Sequence, residues 1–131
     1  MILITALALV AAAEEEPNCE NPRWQPEMTA CAYIEYEKAD AAMNAAWKPL
    51  LAIMKDRDKD FERNGDDRPG YAAALLDGQR AWLKFRDAHC VSEGYFVRRG
   101  SMEPMVVGGC LEAVTKARTK QLQELLEMYQ Q

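Results

Sequence analysis

The residues with the most definite chemistry in this sequence are four cysteines, Cys19, Cys31, Cys90 and Cys110. None of them lies in the C-x-x-C spacing typical of zinc sites or haem attachment. In an oxidising compartment an even number of cysteines indicates disulfides, and four cysteines allow three pairings. The simplest pairing is local, Cys19 with Cys31 and Cys90 with Cys110. The second bridge would close a loop of about 20 residues and contribute about 3 kcal/mol.

A second chemical feature is a set of polar residues on apolar helical faces. Helical periodicity places Gln79 and Arg86 in one apolar stripe and Arg118 in another. Buried guanidinium groups are costly unless they are paired, so acceptors are expected nearby. The candidate partners are Asp40, Asn44, Asp87 and Thr115. We interpret these residues as a buried polar network that fixes the helix register. A polar cleft that holds a ligand or a catalytic acid is the alternative.

The sequence offers little support for catalysis. His89 is the sole histidine, and it has no serine or thiolate partner at a diagnostic spacing. Pairing with arginine lowers the pKa of a carboxyl group and keeps it ionised at neutral pH. Such a carboxylate is suited to a structural ion pair and not to a general acid, which must be protonated to act. We therefore predict no enzyme activity, no cofactor and no metal site.

These polar residues must be positioned by helices, because apolar residues recur at helical spacing along most of the chain. Residues 26 to 55 form the first predicted helix, and Pro49 inside it is expected to kink the helix or to end its regular part. Residues 55 to 68 alternate in charge, which is typical of a solvated loop.

Two further helices complete the predicted domain. The second begins near Pro69, runs to about residue 92 and stops at Gly94. The third starts between Pro104 and Gly109 and continues to the C-terminus. No segment alternates long enough with the period of a strand. The sequence therefore predicts an all-α fold, a small antiparallel bundle of three main helices with disulfide cross-links.

Length, composition and charge fit one small exported domain. The chain has 131 residues, of which 49% are hydrophobic and 28% are charged. Residues 1 to 13 are apolar except for Thr5 and end in three alanines, which is typical of a signal peptide. Residues 14 to 131 then form a single domain, with no stable membrane span after cleavage. The net charge of −5 argues against a nucleic-acid partner and favours a cationic one.

Four short motifs lie in order along the chain. Residues 79–90 read Q-x-x-W-x-x-F-R-D-x-x-C, and residues 110–122 read C-L-x-x-x-T-x-x-R-x-x-x-L. Upstream, residues 27–31 read E-M-x-x-C and residues 40–44 read D-x-x-M-N. Together these motifs resemble the lysozyme-inhibitor LprI-like N-terminal domain family over about residues 19–126. Trp47 departs from the family's usual tyrosine, and the lipobox of a lipoprotein member is absent.

The resemblance implies an exported bacterial helical domain, periplasmic or secreted, with paired cysteines. For the family's namesake it also implies inhibition of lysozyme. Many lysozymes are cationic, so electrostatic attraction would steer an acidic partner toward them. On this hypothesis the contact surface is the loop from Glu93 to Glu103. The candidate partner-binding residues are Tyr95, Phe96, Arg98, Arg99 and Ser101, with the two aromatic side chains as apolar anchors.

Other interpretations stay open. The acidic residues Asp56, Asp58, Asp60, Asp66 and Asp67 form a different candidate contact face. The protein is alternatively an envelope structural or stress-related binding module that does not inhibit lysozyme. A small hydrolase that uses Asp40 or Asp87 is a third hypothesis, and the expected pairing with arginine argues against it.

Overall fold

The computed structural model describes residues 15–131, and the predicted signal segment lies outside this range. It contains three α-helices: α1 (Gln25–Asp60), α2 (Tyr71–Gly94) and α3 (Glu103–Tyr129). A short 3-10 helix, Tyr95–Val97, directly follows α2. The described residues form no strand. The prediction of an all-α bundle of three main helices is confirmed.

Helices α1 and α3 run parallel and share the largest contact in the bundle. At their N-terminal ends, Gln25 Nε2 lies 3.5 Å from Met105 Sδ. At their C-terminal ends, the Arg57 guanidinium donates to the Tyr129 carbonyl at 3.4 Å. The axes approach closely at the buried Gly108, where a Cβ atom would lie only 3.1–3.2 Å from α1 side chains. A larger residue there would push α1 and α3 apart.

Helix α2 runs antiparallel to the other two and is anchored at its start by a carboxylate of α1. Asp58 accepts hydrogen bonds from the backbone N–H groups of Tyr71 at 2.7 Å and Ala72 at 3.0 Å. These groups are among the unpaired donors of a helix N-terminus, where a negative charge is favourable. Gly70 permits this approach, since a Cβ atom there would lie 2.5 Å from Asp58 Oδ1.

Helix α1 is longer than the sequence predicts. It continues without interruption past the exposed Pro49 to Asp60, so the prediction that residues 55–60 belong to a loop is wrong. Leu50, which directly follows Pro49, and Met54, about one turn further on, are buried in the core. Their packing stabilises the helix beyond the hydrogen bond that proline cannot donate. The boundaries of α2 and α3 differ from the predictions by only one or two residues.

The hydrophobic core lies in the half of the bundle away from the α2–α3 loop. Its buried residues are Met43, Leu50, Met54, Leu75 and Leu122. Partly buried residues pack around them: Ala46, Trp47, Leu51, Tyr71, Ala72, Trp82, Leu125, Leu126 and Tyr129. No described helix is both long and apolar enough to cross a membrane.

Both predicted disulfides are present, Cys19–Cys31 and Cys90–Cys110. The first ties the irregular N-terminal segment to α1, and the second joins the end of α2 to the start of α3. Both therefore lie at one end of the bundle, which we call the disulfide end. We call the opposite end, where residues 61–70 connect α1 to α2, the linker end.

Candidate functional site

Arg86 is the buried centre of the polar residues that the sequence places on apolar faces. Its side chain is 8% exposed. Nε donates to Asp87 Oδ1 at 2.9 Å, and Nη1 lies 3.5 Å from Asp40 Oδ1. The guanidinium also lies 5.4 Å from the Tyr36 ring centroid and 5.2 Å from that of Trp82, within cation–π range. Arg86 thus connects α1 and α2 through charge and through aromatic contact.

The acidic side of this cluster reaches solvent. The Asp40 side chain is 36% exposed and that of Asp87 is 64% exposed. Asn44 is also exposed, and its amide donates to Asp40 Oδ2 at 3.2 Å. The buried members of the network are Gln79, Arg86 and Thr115. The prediction of a wholly buried set is therefore wrong for Asn44 and Asp87, because they lie at the outer edge of the bundle.

Arg118 has two glutamine amides as partners, neither of which is among the acceptors that the sequence suggested. Its Nε donates to Gln79 Oε1 at 2.9 Å and its Nη1 donates to Gln121 Oε1 at 3.0 Å. The guanidinium also lies 5.9 Å from the Trp82 ring centroid. Within residues 15–131 it forms no ion pair. Partial burial lowers the pKa of Arg118.

Thr115 is fully buried, but it does not serve as an acceptor for either arginine. Its hydroxyl has no hydrogen-bond partner among the residues that the structure describes. Its backbone carbonyl accepts the Thr119 hydroxyl at 3.1 Å. The side chain therefore fills space in the core and adds no polar contact there.

Trp82 is the residue that links the two arginines, since its ring contacts both guanidinium groups. Its position in the apolar stripe of α2 predicts no polar role. The spacing of four residues between Trp82 and Arg86 puts the two side chains on neighbouring turns of one helix face, and this spacing was the available signal. The cluster holds three helices in register and presents no nucleophile beside a base, so its arrangement fits a structural role.

His89 lies outside this network, on the surface of α2. Its ring stacks on Phe85 with centroids 5.2 Å apart, and Nε2 lies 3.6 Å from a Glu93 carboxylate oxygen. His89, Glu93 and Cys110 are close enough together to share a metal ion. However, the Cys110 sulfur is bonded to Cys90 and is not a thiolate, so it does not supply the third ligand.

The α2–α3 loop carries the predicted partner-binding residues at the disulfide end. Phe96 is 92% exposed and Tyr95 is 47% exposed. The Arg98 guanidinium lies 4.2 Å from the Tyr95 ring centroid. Arg99 has a positive φ of 66°, and its N–H donates to the Glu103 carboxylate. The loop also includes the exposed Ser101. Short contacts therefore hold the loop in one shape while its aromatic tip faces solvent.

The alternative acidic face has most of its charge engaged in local contacts. Asp66 pairs with Arg68 at 2.6 Å, and these hydrogen bonds lower the pKa of Asp66 to about 2. Asp56 pairs with Lys59 at 2.9 Å, and Asp58 anchors the start of α2. These residues are therefore less suited to a partner than those of the α2–α3 loop.

Comparison with known proteins identifies relatives of this chain by sequence. The family model described as lysozyme inhibitor LprI matches residues 18–122. An uncharacterized protein of Rhizobium meliloti (strain 1021) is 39% identical over 129 residues, which cover 96% of this chain and 91% of that protein. No solved structure matches the chain significantly. From the match over residues 18–122, which include both disulfides and the polar network, we conclude that the chain belongs to the LprI lysozyme-inhibitor family.

Proposed function

We propose that the protein is an exported inhibitor that binds a lysozyme through the disulfide end of the bundle. Membership of a family described as lysozyme inhibitors supports this proposal. Two disulfides in a chain of 131 residues fit an oxidising compartment outside the cytoplasm. The same support makes a binding protein a better interpretation than an enzyme.

The observation that carries the proposal is the exposure of Phe96 on a constrained loop. A phenylalanine that is 92% exposed leaves its apolar surface free to be buried by a partner. The loop is fixed at its base by Cys90–Cys110 and internally by the contact between Arg98 and Tyr95. Because this order is already present in the free protein, binding costs less conformational entropy.

Other apolar side chains extend the surface around Phe96. Val91, Tyr95 and Met102 are each 44–47% exposed in the neighbouring sequence. Trp24, which precedes α1 at the same end of the bundle, is 62% exposed. A concentration of exposed apolar groups at one end of a small domain is typical of a protein-binding surface.

The charges of the protein act at two ranges. The net charge of −5 attracts a cationic lysozyme over long distances and speeds encounter. At contact, Arg98 and Arg99 bring positive charge beside Phe96. A lysozyme active site contains two carboxyl groups, and guanidinium groups bind carboxylates with paired hydrogen bonds. We infer that the loop enters the substrate cleft, with its arginines beside those carboxyl groups and its aromatic side chains on the cleft wall.

Lysis of a cell-wall suspension by several lysozymes tests the proposal. We expect the wild-type protein to slow lysis and the variant Tyr95→Ala/Phe96→Ala to lose most of this inhibition. Phe85→Ala is the matched control, because Phe85 is 57% exposed on α2 but lies outside the loop. In a kinetic binding series, added salt should slow association, whereas the double variant should speed dissociation.

Two results would contradict the proposal. If no lysozyme is bound below about millimolar concentration at low salt, the protein is an envelope binding module without lysozyme inhibition. If Phe85→Ala weakens inhibition as much as the loop variant does, the contact surface lies elsewhere on the bundle.

A further inference from the structure

The linker end contains a groove that the proposed lysozyme contact does not use. The groove has a volume of about 650 Å³, within the range of sites that bind small molecules. Its apolar lining includes Met54, Leu75 and Leu125, together with the rings of Phe61, Tyr71 and Tyr129. The ring of Tyr71 lies edge-on to its two aromatic neighbours, with centroids 5.6 Å and 6.2 Å apart. These contacts hold the aromatic walls in place.

Arg118 also lines this groove, and its charge lacks an acidic partner among residues 15–131. Its two hydrogen-bond acceptors are the neutral amides of Gln79 and Gln121. The other two arginines of the groove are already engaged. Arg68 pairs with Asp66, and Arg63 donates to the backbone carbonyls of both of those residues. Arg63 forms no ion pair among residues 15–131 either, but it is exposed and its hydrogen bonds hold the linker backbone. Arg118 is half-buried beside the apolar walls, so we take it as the cation that pairs with an anion from outside.

We propose that this groove binds a single-chain amphipathic carboxylate, such as a fatty acid, with the carboxylate on Arg118 and the alkyl chain along the aromatic walls. A charged hydrogen bond at a partly desolvated guanidinium is stronger than a neutral one. The apolar lining suits an alkyl chain, which gains free energy with each methylene group removed from water. A second copy of this chain fits less well, because two molecules of net charge −5 repel each other.

Gly78 offers a way to block the groove without disturbing the core. It lines the groove within α2, and a Cβ atom there would have no neighbour within 4 Å. A leucine at this position would project into the open space where the alkyl chain is placed. Gly109, in α3, also has no neighbour within 4 Å of a Cβ atom and does not line the groove. Gly109→Leu is therefore the matched control.

The test measures binding of octanoate and decanoate to the full chain as purified, by calorimetry and by intrinsic tryptophan fluorescence. We expect saturable binding with one site per chain, and about fourfold tighter binding for each added methylene group. Octan-1-ol, with the same chain and no charge, should bind at least about tenfold more weakly. Arg118→Gln should remove this preference for the carboxylate, and Gly78→Leu should abolish binding of both probes.

Several outcomes would overturn the proposal. One is equal affinity for octanoate and octan-1-ol in the wild-type protein. Another is unchanged octanoate binding in Gly78→Leu when circular dichroism shows a folded helical protein. Loss of binding in Gly109→Leu as well would show that the effect is not local to the groove. A concentration-dependent dimer that Gly78→Leu disperses would assign the groove to self-association instead. Each readout is independent of lysozyme inhibition, so the two proposals fail separately.

Discussion

Arg118 Nε donates a hydrogen bond to Gln79 Oε1 across 2.9 Å, which ties α3 to α2 inside the bundle. The amide nitrogen of the same Gln79 lies 3.5 Å from Met43 Sδ on α1. The buried Gln79 side chain therefore contacts α3 through its amide oxygen and α1 through its amide nitrogen. An amide is suited to this position because it donates and accepts at once.

Replacement of Gln79 by leucine should destabilise the fold by about 1–3 kcal/mol, since the partly buried Arg118 Nε–H would lose its acceptor. Gln121→Leu is the matched control, because Gln121 accepts from the same guanidinium but is exposed. That change should cost less than about 0.5 kcal/mol. Urea unfolding of the two variants measures the difference, and equal midpoints would contradict it.

Arg86→Ala should destabilise the protein far more than Arg98→Ala. The cost does not come from an acid left buried and unpaired, because Asp40 and Asp87 both reach solvent. The cost comes instead from the side chain itself, which fills a buried site and contacts two aromatic rings. We expect a loss of roughly 2–4 kcal/mol from packing and cation–π contacts.

Arg98 is exposed and should change stability by no more than about 0.5 kcal/mol on truncation. Thermal and urea melts of both variants test this pair. If Arg98→Ala unfolds as early as Arg86→Ala, the loop contributes to the stability of the bundle and is not a free surface.

Thr115→Val should leave the protein as stable or make it more stable by about 1 kcal/mol. Valine has nearly the same shape, and it removes a buried hydroxyl that has no described partner. Thr119→Val is the control, because the Thr119 hydroxyl does donate a hydrogen bond. A loss of more than about 1 kcal/mol in Thr115→Val would show that its hydroxyl has a partner in solution.

Glu27 should give the N-terminal segment a pH-dependent stability. Its carboxylate accepts the backbone N–H groups of Arg23 at 2.7 Å and Asn18 at 2.9 Å, and these bonds lower its pKa below 4.5. The pKa of Glu27 is lower in the folded protein than in the unfolded chain, so its hydrogen bonds stabilise the folded state fully above pH 4.5. This stabilisation disappears as the pH falls through the pKa that Glu27 has in the folded protein.

Titration followed by NMR at the amides of Asn18 and Arg23 measures that folded pKa. Glu27→Gln should lose stability relative to the wild type at pH 7 but not at the acid end of the titration. Glu20→Gln, in the same exposed segment, is the control. A folded pKa for Glu27 at or above 4.5 would contradict the hydrogen-bonding pattern.

The sequence by itself determined the three helices and the polar positions on their apolar faces, and it favoured the local disulfide pairing among three possible ones. Periodicity reports which face of each helix is buried, and cysteines only 12 and 20 residues apart favour local bridges. Periodicity does not indicate how the helices are arranged relative to one another. The hydrogen-bond and ion-pair partners of Arg86 and Arg118 therefore became known only from the tertiary structure. The packing of Leu50 and Met54 in the core stabilises the part of α1 that follows Pro49. The position of α3 places the Arg118 guanidinium beside the neutral amides of Gln79 and Gln121. The groove at the linker end has the same origin, because three helix termini and a loop form it only after the chain has folded.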